Sequence, residues 1–244
     1  MTMPDHASIL PLRVEGISFA AQGKALLADV SFTLQCGGIT AVIGPNGAGK
    51  SLLLRICHGL LPPGEGRLRW ATPEGLVEGR KRHAMVFQRP VMLRRSSRAN
   101  ISHALVAAHW PRDDRAARAD AALDRFGLQE LAERPARLLS GGEQQRLAIA
   151  RAWALAPDVI FLDEPCSQLD PGATRQIEAM LSELERDGVT LLMATHDLPQ
   201  ALRLAKNLLF LHRGHLLENR PAQAFFAAPE TAEGRAFIAG ELLW

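Results

Sequence analysis

A chain of 244 residues, 47% hydrophobic and 22% charged, has room for one large domain, or a domain with an inserted lobe, around a sizeable core. Its formal net charge of +2 gives no electrostatic case for nucleic acid, and no apolar run is long enough to span a bilayer. Cys36, Cys57 and Cys166 are scattered, odd in number and without metal-ligand spacing, and the start MTMPDHASILPLRV lacks the charged head and apolar stretch of a secretory signal; both point to a reduced, cytosolic setting.

The first clear element is the apolar run Ile39–Ile43, followed by GPNGAGKS and then LLLRICHGL. This order, strand, glycine loop, helix, fits a phosphate-binding loop. Gly44, Gly47 and Gly49 let the backbone curl so that several N–H groups point inward, where the helix N-terminus adds positive potential. Pro45, Asn46, Ala48 and Leu52 complete the stretch. Lys50 brings a point charge to the β/γ-phosphate oxygens, and the Ser51 hydroxyl is a ligand for Mg²⁺. A second run, Ala84–Phe87, ends at Gln88, whose amide oxygen is a candidate for the same Mg²⁺ shell.

From about Arg89 to Arg137 no strand is evident. RPVMLRRSSR is the densest basic patch, either a solvated run or a docking surface, and its Met92 and Leu93 are either apolar anchors or core. In RAARADAALDRFG, Ala119, Ala122, Leu123 and Phe126 share one helical face and Gly127 suits the C-terminal cap. The stretch reads as a helical lobe inserted into an α/β core. LLSGGEQQRLAIARA follows. Ser140 is a good N-cap, Gly141 and Gly142 expose amides, and a helix from Glu143 to about Leu155 is expected. This is a second phosphate-friendly helix start, which one phosphate loop does not require.

In VIFLDEP, Val159 to Pro165, the buried strand Val159–Leu162 runs into two acids. Asp163 is placed to reach Mg²⁺, usually through water, and Glu164 to polarise an attacking water. Asp170-Pro171 starts a helix whose Ile177, Met180, Leu181 and Leu184 form its buried face. The strand Thr190–Thr195 ends at His196, placed to contact a γ-phosphate and orient water. Leu208–His212 is a further strand. Continuous apolar strands alternating with helices predict an α/β layer fold with a mostly parallel sheet.

GPNGAGKS, Gln88, LSGGEQQR, VIFLDEP, SQLD and THD occur in the order of the ATP-binding-cassette (ABC) ATPases, and the chain resembles that family over nearly its whole length. The resemblance implies a phosphate-loop NTPase core with an antiparallel β edge and an inserted helical subdomain. The expected division is a single domain over 1–244, with 12–88 and 150–244 as nucleotide-binding core and 89–149 as helical subdomain. It implies ATP as substrate with Mg²⁺, and a head-to-tail homodimer that sandwiches two ATP molecules. Ser140, Gly141, Gly142 and Glu143 would then face the Lys50 site of a second copy, with Asp170 linking the sites. The family stacks adenine on an aromatic residue, commonly tyrosine, after the first strand. This chain has no tyrosine, so Phe19 is the candidate, with a core phenylalanine as the other reading. Cys166 and Gln168 replace the commoner serine or threonine and alanine.

The family works with integral membrane permease subunits and, in importers, a substrate-binding protein, at the cytoplasmic face of the inner membrane. QRPVMLRRS and the ending FFAAPETAEGRAFIAGELLW look similar to bacterial oxyanion importers of the tungstate type; phosphate and polar amino acid importers are close alternatives. A non-transport mechanochemical ATPase would normally carry a coiled coil or a second cassette, neither of which is visible. A phosphate-loop kinase would leave LSGGEQQR unexplained.

Overall fold

The computed structural model describes residues 8–77 and 79–241. Residues 1–7 of the stretch read for a secretory signal, and Leu242, Leu243 and Trp244 of the oxyanion-importer-like ending, lie outside the described residues.

Two long strands open the chain, β1 (Leu12–Ala21) and β2 (Lys24–Leu34), followed by β3 (Ile39–Ile43) and α1 (Lys50–Cys57). Next come β4 (Glu65–Arg69), the two-residue strands β5 (Leu76–Val77) and β6 (Arg80–Lys81), and β7 (His83–Val86). The helical stretch contains α2 (Ser97–Ala107), α3 (Arg112–Arg125) and α4 (Gly141–Ala154). The remainder runs β8 (Val159–Asp163), α5 (Pro171–Arg186), β9 (Thr190–Ala194), α6 (Leu198–Leu204), β10 (Asn207–His212), β11 (His215–Pro221), α7 (Ala222–Ala227) and α8 (Ala232–Ile238).

The main sheet has the order β11-β10-β3-β9-β8-β7, parallel throughout except for β11 at one edge. Every residue of β3, β8 and β9 is buried, because helices cover both faces of the sheet. The expected strands stand within a residue of their predicted ends. Phe87 and Thr195 fall just outside β7 and β9, and His83, Asp163 and Asn207 join β7, β8 and β10. A separate antiparallel sheet, β2-β1-β4, forms the N-terminal layer. Alternation of buried and exposed residues holds where β1 and β2 pair in unbroken register, Leu12–Val14 against Phe32–Leu34, and is lost beyond, where register shifts interrupt the pairing between Val14 and Ala20. β11, with Glu218 its one buried residue, has no apolar run to read.

In the helical stretch Ala119, Ala122, Leu123 and Phe126 are buried as the 3.6-residue period predicts. Gly127 ends that helix at φ +61°. The side chains pack with Ile101, Leu105 and Leu147, and this cluster runs on into Ile160 and Leu162 of β8. α4 passes unbroken from the stretch into the layer against the sheet. Met92, 5% exposed, is core, whereas Val91 beside it is 69% exposed. The fully buried Asn100 side chain accepts from the Leu93 N–H at 2.9 Å and donates to the Ser96 carbonyl at 3.0 Å, which pins the segment leading away from Gln88. α5 begins at Asp170, whose carboxylate accepts from the Gly172 and Ala173 N–H groups, and buries Ile177, Leu181 and Leu184.

Candidate functional site

A parallel sheet delivers the C-terminal ends of its strands to one edge, and the order β3-β9-β8-β7 decides which loops become neighbours there. Ile43 leads into the glycine loop, Ala194 to His196, Asp163 to Glu164, and Val86 to Gln88.

The loop 44–49 is built on glycines for steric reasons. At Gly44, φ is +145° and a Cβ would stand 1.9 Å from the Leu211 carbonyl oxygen. At Gly49, φ is +105° and a Cβ would stand 2.7 Å from Leu27 Cδ2. Gly47, at φ +80°, faces open space. Lys50 folds back over this loop and is buried. Its Nζ donates to the Gly44 carbonyl at 2.7 Å and to the Pro45 carbonyl at 3.0 Å. Burial holds its ammonium below the ordinary lysine value, opposed by the charges of Glu164 and Asp163. Ala48 is buried, Leu52 packs against the core, and Asn46 is exposed at the tip. Gly44→Ala therefore combines a clash with backbone strain and is expected to cost about 2–3 kcal/mol or more of stability. A lowered Tm and lost ATP binding check this; a wild-type melt with normal affinity would contradict it.

Ser51 and Asp163 meet across the sheet edge, Oγ donating to Oδ1 at 2.6 Å. Asp163 is 2% exposed, and burial raises its carboxyl above the usual range despite the Ser51 hydrogen bond and Arg55, 3.8 Å away. Two hard oxygen donors and an under-compensated buried charge fit Mg²⁺. With Mg²⁺ bound there, the metal would supply charge neutralisation for the phosphate oxygens.

Glu164 lies between its neighbours on either side. Its Oε2 accepts from Gln88 Nε2 at 3.1 Å and stands 3.2 Å from His196 Nδ1. Its backbone is in the left-handed region at φ +47°, held by its N–H to the Ala194 carbonyl at 3.0 Å. Gln88 also donates to Ser167 Oγ at 3.0 Å, which leaves its amide oxygen as the end available to a cation. Arg55 and Ser167 belong to this cluster although no motif reading named them. Arg55 is four residues beyond Ser51 and so shares its helix face, a spacing that marks it in the sequence.

Phe19 sits on β1, half-buried against the N-terminal core, paired in register with Leu27, the residue whose side chain walls Gly49. It is thus one strand removed from the phosphate loop.

Ser140 stands elsewhere. It caps α4 in a reciprocal box: its N–H donates to Glu143 Oε2 at 2.7 Å and its Oγ accepts from the Glu143 N–H at 3.4 Å. The Ser140 N–H donated to its carboxylate holds Glu143 below the usual carboxylate range. Gly141 and Gly142 are the first two helical residues, so the helix starts two residues earlier than predicted and its free amides lie at the very tip. Ser140, Gly141, Gly142 and Glu143 line an open cleft with Gln168 and Asp170. Gly142 is small enough for α5 to approach, since a Cβ there would stand 3.0 Å from Ala173. Among the described residues no hydrogen bond joins this cleft to the Lys50 loop.

Residues 27–167 match the family model described as ABC transporter. The chain belongs to the ABC transporter family, as an ATP-binding subunit. It is 36% identical to the phosphate import ATP-binding protein PstB 2 of Natronomonas pharaonis, over 96% of this chain and 88% of that one. It is 36% identical to the nickel import ATP-binding protein NikO of Rhodobacter capsulatus, over 88% and 90%. The solved structure of cbiO1 from Clostridium perfringens, part of the ABC transporter complex cbiONQ, superposes with a TM-score of 0.79 at 30% identity, covering 92% of this chain and 93% of that one. As an ABC subunit the chain is an ATPase that uses ATP with Mg²⁺. Among the described residues no helix is long and apolar enough to cross a membrane.

Proposed function

We propose that this chain is the motor of an importer in which two copies share their nucleotides. The observation that carries this reading is that the two amide cradles do not share a lining: Lys50 is tied to its own glycine loop, and the cleft at the Ser140 tip is lined with Asp170 and by no residue of that loop. A nucleotide held by Lys50 and Ser51 is then completed by Ser140, Gly141 and Gly142 of a second copy. Glu164 polarises the attacking water, His196 binds the γ-phosphate, Asp163 and Gln88 serve the metal shell, and Phe19 stacks on adenine. Residues 12–88 and 150–244 act as the nucleotide-binding core and 89–149 as the helical lobe that carries the capped start of α4.

Permease subunits dock on a groove between that lobe and β7. It is floored by Ala104, Ala108, Ala148 and Ala152 and edged by Arg80 and Arg151. This places the chain at the cytoplasmic face of the inner membrane, with a substrate-binding protein acting on the far side. The solute class we favour is an oxyanion such as tungstate. The phosphate relative supports that class, as does the probable anion import ATP-binding protein of Haloferax volcanii, 34% identical over 90% of this chain. Phosphate itself and polar amino acids are the next readings; an amino acid importer does occur among the relatives, a methionine import ATP-binding protein of Cereibacter sphaeroides, 35% identical over 91% of this chain, although methionine itself is apolar.

ATPase activity against protein concentration tests the shared site. Turnover per mole is expected to rise with concentration across the dimerisation range. Constant specific activity over a wide dilution series of monomer would end the two-copy reading. Stimulation of the permease-bound ATPase by molybdate- or tungstate-loaded binding protein, and not by phosphate, checks the solute.

A further inference from the structure

Behind His196 runs a buried polar chain that the phosphate chemistry leaves unexplained. Thr195, 3% exposed, donates its hydroxyl to Gln200 Oε1 at 2.9 Å and accepts from the Asp197 N–H at 3.0 Å. Gln200, 1% exposed in the first turn of α6, donates through Nε2 to Glu178 Oε1 at 3.2 Å. Glu178 stands about two turns into α5, the helix that starts at Asp170. Arg203 closes the chain from solvent, NH2 lying 2.6 Å from Glu178 Oε1 and Nε 3.1 Å from Oε2. Gln200 also lies beside the Cys166 thiol, which burial pushes up to about 11 and so keeps neutral.

A hydroxyl, an amide and a carboxylate taken out of water are costly unless every partner is met, and apolar side chains of the same volume would hold the fold as well. What the polar chain adds is direction. It permits one placement of the loop 195–197 relative to α5, where apolar packing permits several. We infer that Thr195, Gln200 and Glu178 form a positioning tether that ties the His196 loop to α5 and so keeps Nδ1 at Glu164. The inference rests on the reading of His196 as the γ-phosphate ligand. The tether acts through His196 and also gives α5, whose capped start borders the Ser140 cleft, a rigid path to that side chain.

Thr195→Val tests it, because the volume is kept while both hydroxyl bonds are lost. The expected result is a kcat about tenfold lower, KM for ATP within about twofold of wild type, and recovery of kcat in Thr195→Ser. Gln200→Leu is expected to give the same split, which keeps the test intact should one variant fail to fold. Wild-type kcat in both variants overturns the tether. So does a parallel change in kcat, KM and Tm that serine does not rescue, since that is the signature of a structural role. His196→Ala is measured alongside. If it retains turnover, the reading of His196 fails and takes the tether's purpose with it; if it is inactive while Thr195→Val is normal, the tether alone fails.

Discussion

Glu164→Gln is expected to lower ATP turnover roughly 10³-fold while leaving ATP affinity near wild type, equivalent to about 4 kcal/mol of transition-state stabilisation. The exchange keeps size and shape. Gln88 Nε2 and His196 Nδ1 both face Oε2, so an amide still makes hydrogen bonds there, but it cannot take a proton from water. The left-handed backbone at φ +47° tolerates glutamine as well as glutamate, so loss of activity through misfolding is not expected. With hydrolysis stopped and binding kept, the ATP-bound pair should persist long enough to elute as a dimer from a sizing column. Normal turnover in this variant would remove Glu164 as the base, and attention would pass to His196.

Ser140→Arg is expected to drop turnover about 100-fold or more without weakening ATP binding to the isolated chain. Ser140 is exposed at the tip of α4, and among the described residues no hydrogen bond joins it to Lys50. An arginine there fills the cleft beside Asp170 and covers the amides of Gly141 and Gly142. It also removes the N-cap, worth about 1 kcal/mol, so Ser140→Ala serves as the control for stability alone. Titration of a fluorescent ATP analogue at low protein concentration reads monomer affinity, and sizing in the Glu164→Gln background reads closure. If the arginine variant loses monomer binding, Ser140 belongs to the same-chain site and the head-to-tail arrangement is wrong.

Much of this site is visible in the chain before it folds, because each chemical group occupies the end of an apolar strand. Ile43, Phe87, Asp163 and Thr195 are followed at once by a glycine loop, an amide, an acid and an imidazole. Backbone constraints are equally local: a loop that must curl around phosphate needs residues without a Cβ, and the contacts at Gly44 and Gly49 bear that out. The N-terminal sheet is only partly legible: VSFTL alternates over Val30–Leu34, but the pairing shifts register between Val14 and Ala20 and period-two patterning is lost there. Met92 was ambiguous for a related reason. A lone apolar residue in a basic run has no period, and only the packing around Asn100 and α4 makes it core.

The sequence by itself determined the residue types and their order: the glycine loop with Lys50 and Ser51, the paired acids, the capped start of α4, and the covered strands. These depend on local sterics, capping and burial, which a short window of chain already contains. The tertiary structure alone decided adjacency. The sheet order puts β8 between β9 and β7, so Glu164 meets His196 on one side and Gln88 on the other, although these residues lie far apart in the chain. It also put Thr195, Gln200 and Glu178 in one buried line, which no local signal announces, because hydrogen-bond partners on different elements are chosen by packing and not by spacing.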